Sequence, residues 1–211
     1  MVGPNPSSAA SINHYAELEM VGNLPEQKEA LLLLAIQDEG YLGRYKLVLI
    51  LGLPDGVTRG LLIKLARTGY VKTRKFVGRS LTPKGEKRLT ELLANLNVHA
   101  IREIEVGDLS LGPKSVVAHI RDGARSVRSG IEQRDAAIRA GAAGAITVIY
   151  RDGKFLLPPD SFDISEKNQI ITEKFRKEFD LLEGDALVIG SGVDKWKAVG
   201  GVLAAAAETL R

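Results

Sequence analysis

The chain has 211 residues, 45% hydrophobic and 26% charged, with a net charge of +3. That is enough material for one large or two small domains, each with a buried core. The absence of cysteine excludes disulfides, thiolate metal sites and thiol redox chemistry. An aromatic content of 5% is too low for a surface that reads unpaired bases mainly by stacking, and no apolar run reaches the roughly 18–20 residues needed to cross a bilayer.

Residues 1–24 begin small and polar, contain no Lys or Arg, and have no apolar core of a secretory signal. They are expected to form a flexible arm, and the chain to be cytoplasmic with no membrane partner. Pro25 opens a helix whose Leu31, Leu34 and Ala35 keep helical spacing, and Gly40 closes it. GRYKLVLIL (43–51) predicts a second short helix ended by Gly52. A third runs from Pro54 to about Thr68, with Gly69 as its stop. YVKTRKF, Val77-Gly78-Arg79 and Ser80-Leu81 predict a tight hairpin, and Thr82-Pro83 starts a fourth helix through Asn97.

Charge is unevenly distributed over these elements. Residues 56–88 hold ten Lys or Arg against the single acid Glu86. Crowding of this kind repels itself in a folded protein and suits a polyanionic partner. On the third helix Thr58, Leu61, Leu62 and Leu65 share one face, as a core stripe does. Arg59, Gly60, Ile63, Lys64 and Arg67 share the other. Such a face fits the major groove: Gly60 admits close backbone approach, Arg59 suits guanine and Ile63 a thymine methyl. Lys64, Arg67, Lys72, Arg74, Lys75 and Arg79 would meet phosphates. The plainer reading is a solvated basic face used for protein contacts.

The order of elements resembles the winged helix-turn-helix of archaeal and other prokaryotic transcription regulators. LGLPDGVTRGLLIKLARTGYV is similar to their turn and recognition helix, and SLTPKGEKRL to the exit from the wing into a dimerising helix. The resemblance covers residues 25–97 and implies a DNA-binding, dimeric domain; the short wing departs from the family pattern and limits its reach into a minor groove.

Beyond residue 98 strands and helices alternate. AIREIEV (100–106) and SVVAHI (115–120) are strands. Residues 129–141 are a helix capped by Ser129 with Ile131, Ala137 and Ile138 inward. AITVIY turns through Arg151-Asp152-Gly153 into KFLLP, and Pro158-Pro159 breaks the chain. Residues 165–180 form a helix on Ile170, Ile171, Phe175 and Phe179. DALVIG is a last strand, followed by a closing helix over 194–210. The expected fold is therefore α+β: a winged helix (25–97), then a small α/β sandwich (98–211) with a mixed sheet and helices on one face. RDAAIRAGAAGAITVIY, GKFLLPP and LLEGDALVIGSG resemble an uncharacterised domain that follows a winged helix in archaeal proteins. That resemblance implies no chemistry.

Candidate sites in this half are few. Gly190, Ser191, Gly192, Asp194 and Lys195 fall where a strand meets a helix, a place where backbone N–H groups can hold an anion. Neither a Rossmann nor a P-loop pattern is present, and an ordinary turn with Asp194 as helix cap accounts for the same residues. Trp196 reads as a helix anchor, and Gly200, Gly201 and Ala204–Ala207 as a slim helix for close packing. His119, inside an apolar strand, reads as a structural histidine; His14 and His99 lie far from it in sequence, so no metal site is expected. Asp160 and Asp163 could form an acid–base pair, although loop aspartates are common. No serine occupies a nucleophile elbow. The function expected from the sequence is a DNA-binding regulator, not an enzyme, without cofactor or metal. Its partners would be double-stranded DNA, a second copy of itself and a small effector held by the C-terminal domain. The alternatives are an enzyme of unknown reaction in that domain, or a chromatin or assembly protein without a ligand.

Overall fold

The computed structural model describes residues 26–75, 77–159 and 162–210. The expected N-terminal arm, His14 and Asp160 lie outside them. The described residues form seven α-helices and two antiparallel sheets. They make two compact units divided between Leu89 and Thr90.

In the first unit α1 (Glu26–Glu39) is buried almost all round, with Leu31, Leu32, Leu33, Ala35 and Ile36 inside. The helix α2 (Arg44–Leu51) stops at Gly52, which takes φ 63° where a side chain would be strained. In α3 (Asp55–Arg67) the expected stripe is the buried one: Val57, Thr58, Leu61, Leu62 and Leu65. Strands β1 (Val71–Arg74) and β2 (Gly78–Leu81) pair from Val71↔Leu81 to Arg74↔Gly78. A third segment joins them that periodicity did not show. Leu42 and Arg79 exchange backbone hydrogen bonds of 3.2 and 3.1 Å. A Cβ on Gly78 would lie 2.9 Å from the carbonyl carbon and oxygen of Leu42, and its φ is 130°, so only glycine fits.

Helix α4 (Pro83–Asn95) starts as expected from Thr82, whose hydroxyl accepts from Gly85 N at 3.1 Å and donates to the Gly69 carbonyl at 2.6 Å. The division between the units falls within this helix.

The second unit carries β3 (Val98–Glu103), β4 (Lys114–Ile120), α5 (Ile131–Arg139), β5 (Gly144–Arg151), β6 (Lys154–Leu157), β7 (Phe162–Asp163), α6 (Gln169–Glu178), β8 (Ala186–Gly192) and α7 (Lys195–Glu208). Its sheet has the order β3-β4-β8-β5-β6-β7 and every neighbouring pair is antiparallel. The mixed sheet expected from the alternating pattern is thus corrected. Strands β4 and β5 do run the same way, but β8 inserts between them antiparallel to both, so no parallel pair forms.

The expectation of helices on one face is corrected too. On one face α7 packs on β8 and β4, with α5 beside it. On the other, Phe175 and Phe179 of α6 share a core with Val117, Val148, Phe155, Leu187 and Ile189. The slim helix serves α7 packing: a Cβ on Gly201 would lie 2.6 Å from the Ala142 Cβ. Ile131 and Ile138 prove about half exposed (50% and 49%), because α5 turns the smaller Ala136 and Ala137 inward. Ile170 likewise points outward, because Ile171, Phe175 and Phe179 at i, i+4 and i+8 take the inner face of α6, which itself begins at Gln169 and not at residue 165.

Candidate nucleic-acid interface and a buried histidine–aspartate centre

The face of α3 opposite its buried stripe presents Arg59, Ile63, Lys64 and Arg67 to solvent, with Gly60 partly covered among them. The helix is about 20 Å long at 1.5 Å per residue, and a groove about 12 Å wide admits such a cylinder. On β1 only Val71 is buried, which leaves Lys72 and Arg74 exposed, with Lys75 just beyond the strand. Arg79 is partly covered; burial, and then the charge of Arg44, pull its pKa below the ordinary arginine value. Lys84 and Arg88 of the basic run are tied to neighbouring elements. Lys84 donates to the Thr68 carbonyl at 2.9 Å at the end of α3, and Arg88 pairs with Glu29 at 3.1 Å. Seven of the ten basic residues thus lie on α3 and the hairpin, and Lys87 is exposed on α4.

In the second unit the strand runs on to Gly192, so Gly190, Ser191 and Gly192 lie within β8 and are buried, not in the turn. The glycines have a packing reason: a Cβ on Gly190 would lie 2.6 Å from Val202 Cγ1 and 2.9 Å from the Ala198 carbonyl oxygen. Another on Gly192 would lie 2.8 Å from Ala198 N. Ser191 completes a chain of hydroxyls: its Oγ lies 3.3 Å from Ser115 Oγ, itself 2.7 Å from Ser110 Oγ. Asp194 caps α7 by accepting from Lys197 N at 2.9 Å, and Lys195 lies 3.9 Å from Glu103. Trp196 is buried, as an anchor would be. Asp163 is held below the usual carboxylate range by hydrogen bonds from the hydroxyl and amide of Ser165, which makes it a weak base.

The most concentrated polar geometry in this unit was only half visible in the sequence. His119 is fully buried, and its Nε2 lies 2.6 Å from Asp185 Oδ2. The same oxygen accepts from Arg121 NH1 at 2.9 Å and Leu182 N at 2.8 Å, while Oδ1 accepts from Asp122 N at 2.9 Å. Burial would raise the Asp185 pKa, but the amides of Leu182 and Asp122 and the bond from His119 win, and it stays below the ordinary value. Burial pushes His119 the other way from its partner's pull, below the ordinary histidine value. The pair therefore stands as a neutral imidazole donating Nε2–H to a carboxylate, and His119 Nδ1 has no hydrogen-bond partner. Asp185 escaped the sequence reading because its partner lies 66 residues away on a neighbouring strand.

Beside this centre lies an open cleft of about 440 Å³, walled by the last turns of α4 and by Asn97, Val98, His99 and Arg121. None of the five residues expected to hold a ligand lines it.

The likenesses to known proteins name no reaction. Residues 111–210 match a family described as a domain of unknown function (DUF4443). Among solved structures the chain is similar to the hypothetical protein PH0730 from Pyrococcus horikoshii OT3. The TM-score is 0.62 and the identity 25%, over 86% of this chain and 89% of that one. No curated protein matches significantly. The expected resemblance of the C-terminal half to an uncharacterised archaeal domain agrees with both likenesses. No helix among the described residues is long and apolar enough to cross a membrane.

Proposed function

We propose that the chain is a DNA-binding transcription regulator whose first unit is a winged helix-turn-helix: α2 and α3 as the helix-turn-helix, β1 and β2 as the wing. The observation that carries this reading is the composition of the exposed face of α3. Arg59, Ile63, Lys64 and Arg67 surround Gly60 there, beside a hairpin bearing Lys72, Arg74 and Lys75. Basic residues on two adjoining elements of one unit suit a duplex better than a protein partner. In this reading Arg59 and Ile63 contact base edges, and the remaining cations meet phosphates. A symmetric dimer would place two such helices on half-sites one turn of DNA apart. The His119–Asp185 pair of the second unit is sealed from solvent, so we read it as a packing element and the unit as a sensing or assembly domain.

The reading is tested by single substitutions assayed on a selected and on an unrelated duplex. Arg59→Ala is expected to reduce discrimination between them by about 1–3 kcal/mol. Lys75→Ala should weaken both alike and lower the salt dependence by about one counterion. Equal losses on the two duplexes for both variants would remove α3 from the groove.

A further inference from the structure

We propose that the cleft between the end of α4 and the β3–β4 edge of the second unit binds a small organic carboxylate. Its volume of about 440 Å³ falls within the range of small-molecule sites. One wall is short and largely apolar: Leu93 and Ala94 on α4, and Val98 at the start of β3. The other is polar: Asn97, His99 and Arg121. No acidic residue lines it among the described residues, so a negative group entering it meets no charge of its own sign on the wall.

Arg121 is positioned for this task. Its NH1 donates to Asp185 Oδ2 at 2.9 Å and to the Asp180 carbonyl at 3.2 Å. Its backbone N is tied to the Asn97 carbonyl at 3.0 Å. A guanidinium has five N–H donors in a planar fork, and one held on a single nitrogen keeps the others in a fixed orientation for a planar, two-oxygen acceptor. The other polar contributor owes its place to an irregularity of the strand. The β3–β4 register shifts between Val98 and Ala100, so His99 is the extra residue of a bulge. Bulges re-aim a side chain out of the regular alternation. The His99 ring stands edge-on to His119, with centroids 5.3 Å apart. The hydrogen bonds that hold His119 and Arg121 on Asp185 are thus the support of the cleft's polar wall. A group with a carboxylate and a short branched or cyclic body satisfies both walls.

Binding in the cleft does not depend on the DNA reading; only its use as an effector site rests on that proposal. The test uses the full chain labelled with 15N and 13C. Its amide, histidine and arginine signals are followed while acetate, isovalerate, benzoate and succinate are added to millimolar concentration, each against its corresponding amide. At least one acid is expected to shift His99 and Arg121 signals saturably. Its amide should bind about tenfold more weakly or worse, as loss of a charge-assisted hydrogen bond implies. Because Arg121→Ala could also disturb Asp185, the site is checked with His99→Ala and with Ala94→Trp, which fills the apolar wall; both should weaken the acid's binding by about tenfold while the chain stays folded. Acids and amides that bind equally, shifts that bypass His99 and Arg121, or no saturable shift with any acid would overturn the proposal. A separate DNA titration with and without the bound acid reports the effector role. Unchanged DNA affinity would remove that role and leave the carboxylate site standing.

Discussion

Asp185→Asn tests the buried centre of the second unit. In the native chain three donors converge on Oδ2 (His119 Nε2, Arg121 NH1 and Leu182 N) and one, Asp122 N, on Oδ1. An amide of the same shape offers one oxygen and one NH₂. Whichever way it turns, at least one N–H faces another N–H, and the Arg121 charge loses its counter-ion. A buried donor left unpaired costs about 1–3 kcal/mol, and breaking a buried ion pair about 3–5 kcal/mol. Because Arg121 is partly exposed (29%), the expected loss is nearer about 3 kcal/mol than the sum. The assay is urea unfolding followed by the fluorescence of Trp196, the only tryptophan, which sits in α7 and so reports this unit alone. A variant within about 0.5 kcal/mol of the parent, the scatter of ordinary surface substitutions, would refute the role given to Asp185.

The same centre makes a pH prediction. The His119 pKa is lowered on folding, so the unfolded chain takes up a proton near pH 6.5 that the native chain does not. Stability should therefore fall as pH drops below the unfolded value, by up to about 1.4 kcal/mol per pH unit. The slope should be reduced in His119→Phe; equal slopes in the two proteins over that range would contradict it. The lowered Asp185 pKa adds stability that is full above the unfolded carboxylate value and is lost as pH falls through the folded one, so Asp185→Asn should flatten the acid limb of the same curve. Gly190→Ala places a methyl group 2.6 Å from Val202 Cγ1 and 2.9 Å from the Ala198 carbonyl oxygen. It should cost about 1–3 kcal/mol by overpacking, read again from Trp196; a neutral result would mean that α7 can move away from β8.

Much of the fold was legible because local signals agreed with each other. The stripe Thr58, Leu61, Leu62 and Leu65, the stop at Gly69, the Thr82 cap and the Asp152-Gly153 turn all act within a few residues, and each stands where the pattern put it. What failed was non-local. Helix–strand alternation in the second unit resembles a parallel sheet until β8, which follows last in the chain, enters between β4 and β5. Hydrophobicity alone puts Ile131 and Ile138 inward, but the close approach of α7 to α5 favours the small Ala136 and Ala137. The glycines Gly190 and Gly192, read either as an anion-holding turn or as an ordinary one, have a packing reason against α7, and Asp194 caps that helix. Asp185 and the cleft beside Arg121 depend on pairings between distant strands and on a bulge at His99, none of which leaves a periodic signal.

The most direct measurement of the central proposal is binding of the intact chain to a library of genomic duplexes at several salt concentrations. The account predicts a selected motif with two half-sites. If Lys64, Arg67, Lys72, Arg74 and Lys75 each meet a phosphate, as proposed, the logarithmic salt slope is about −4 to −5 per protomer. Binding without a preferred sequence would contradict the base-reading role of α3, and no binding at low salt would contradict the assignment to DNA.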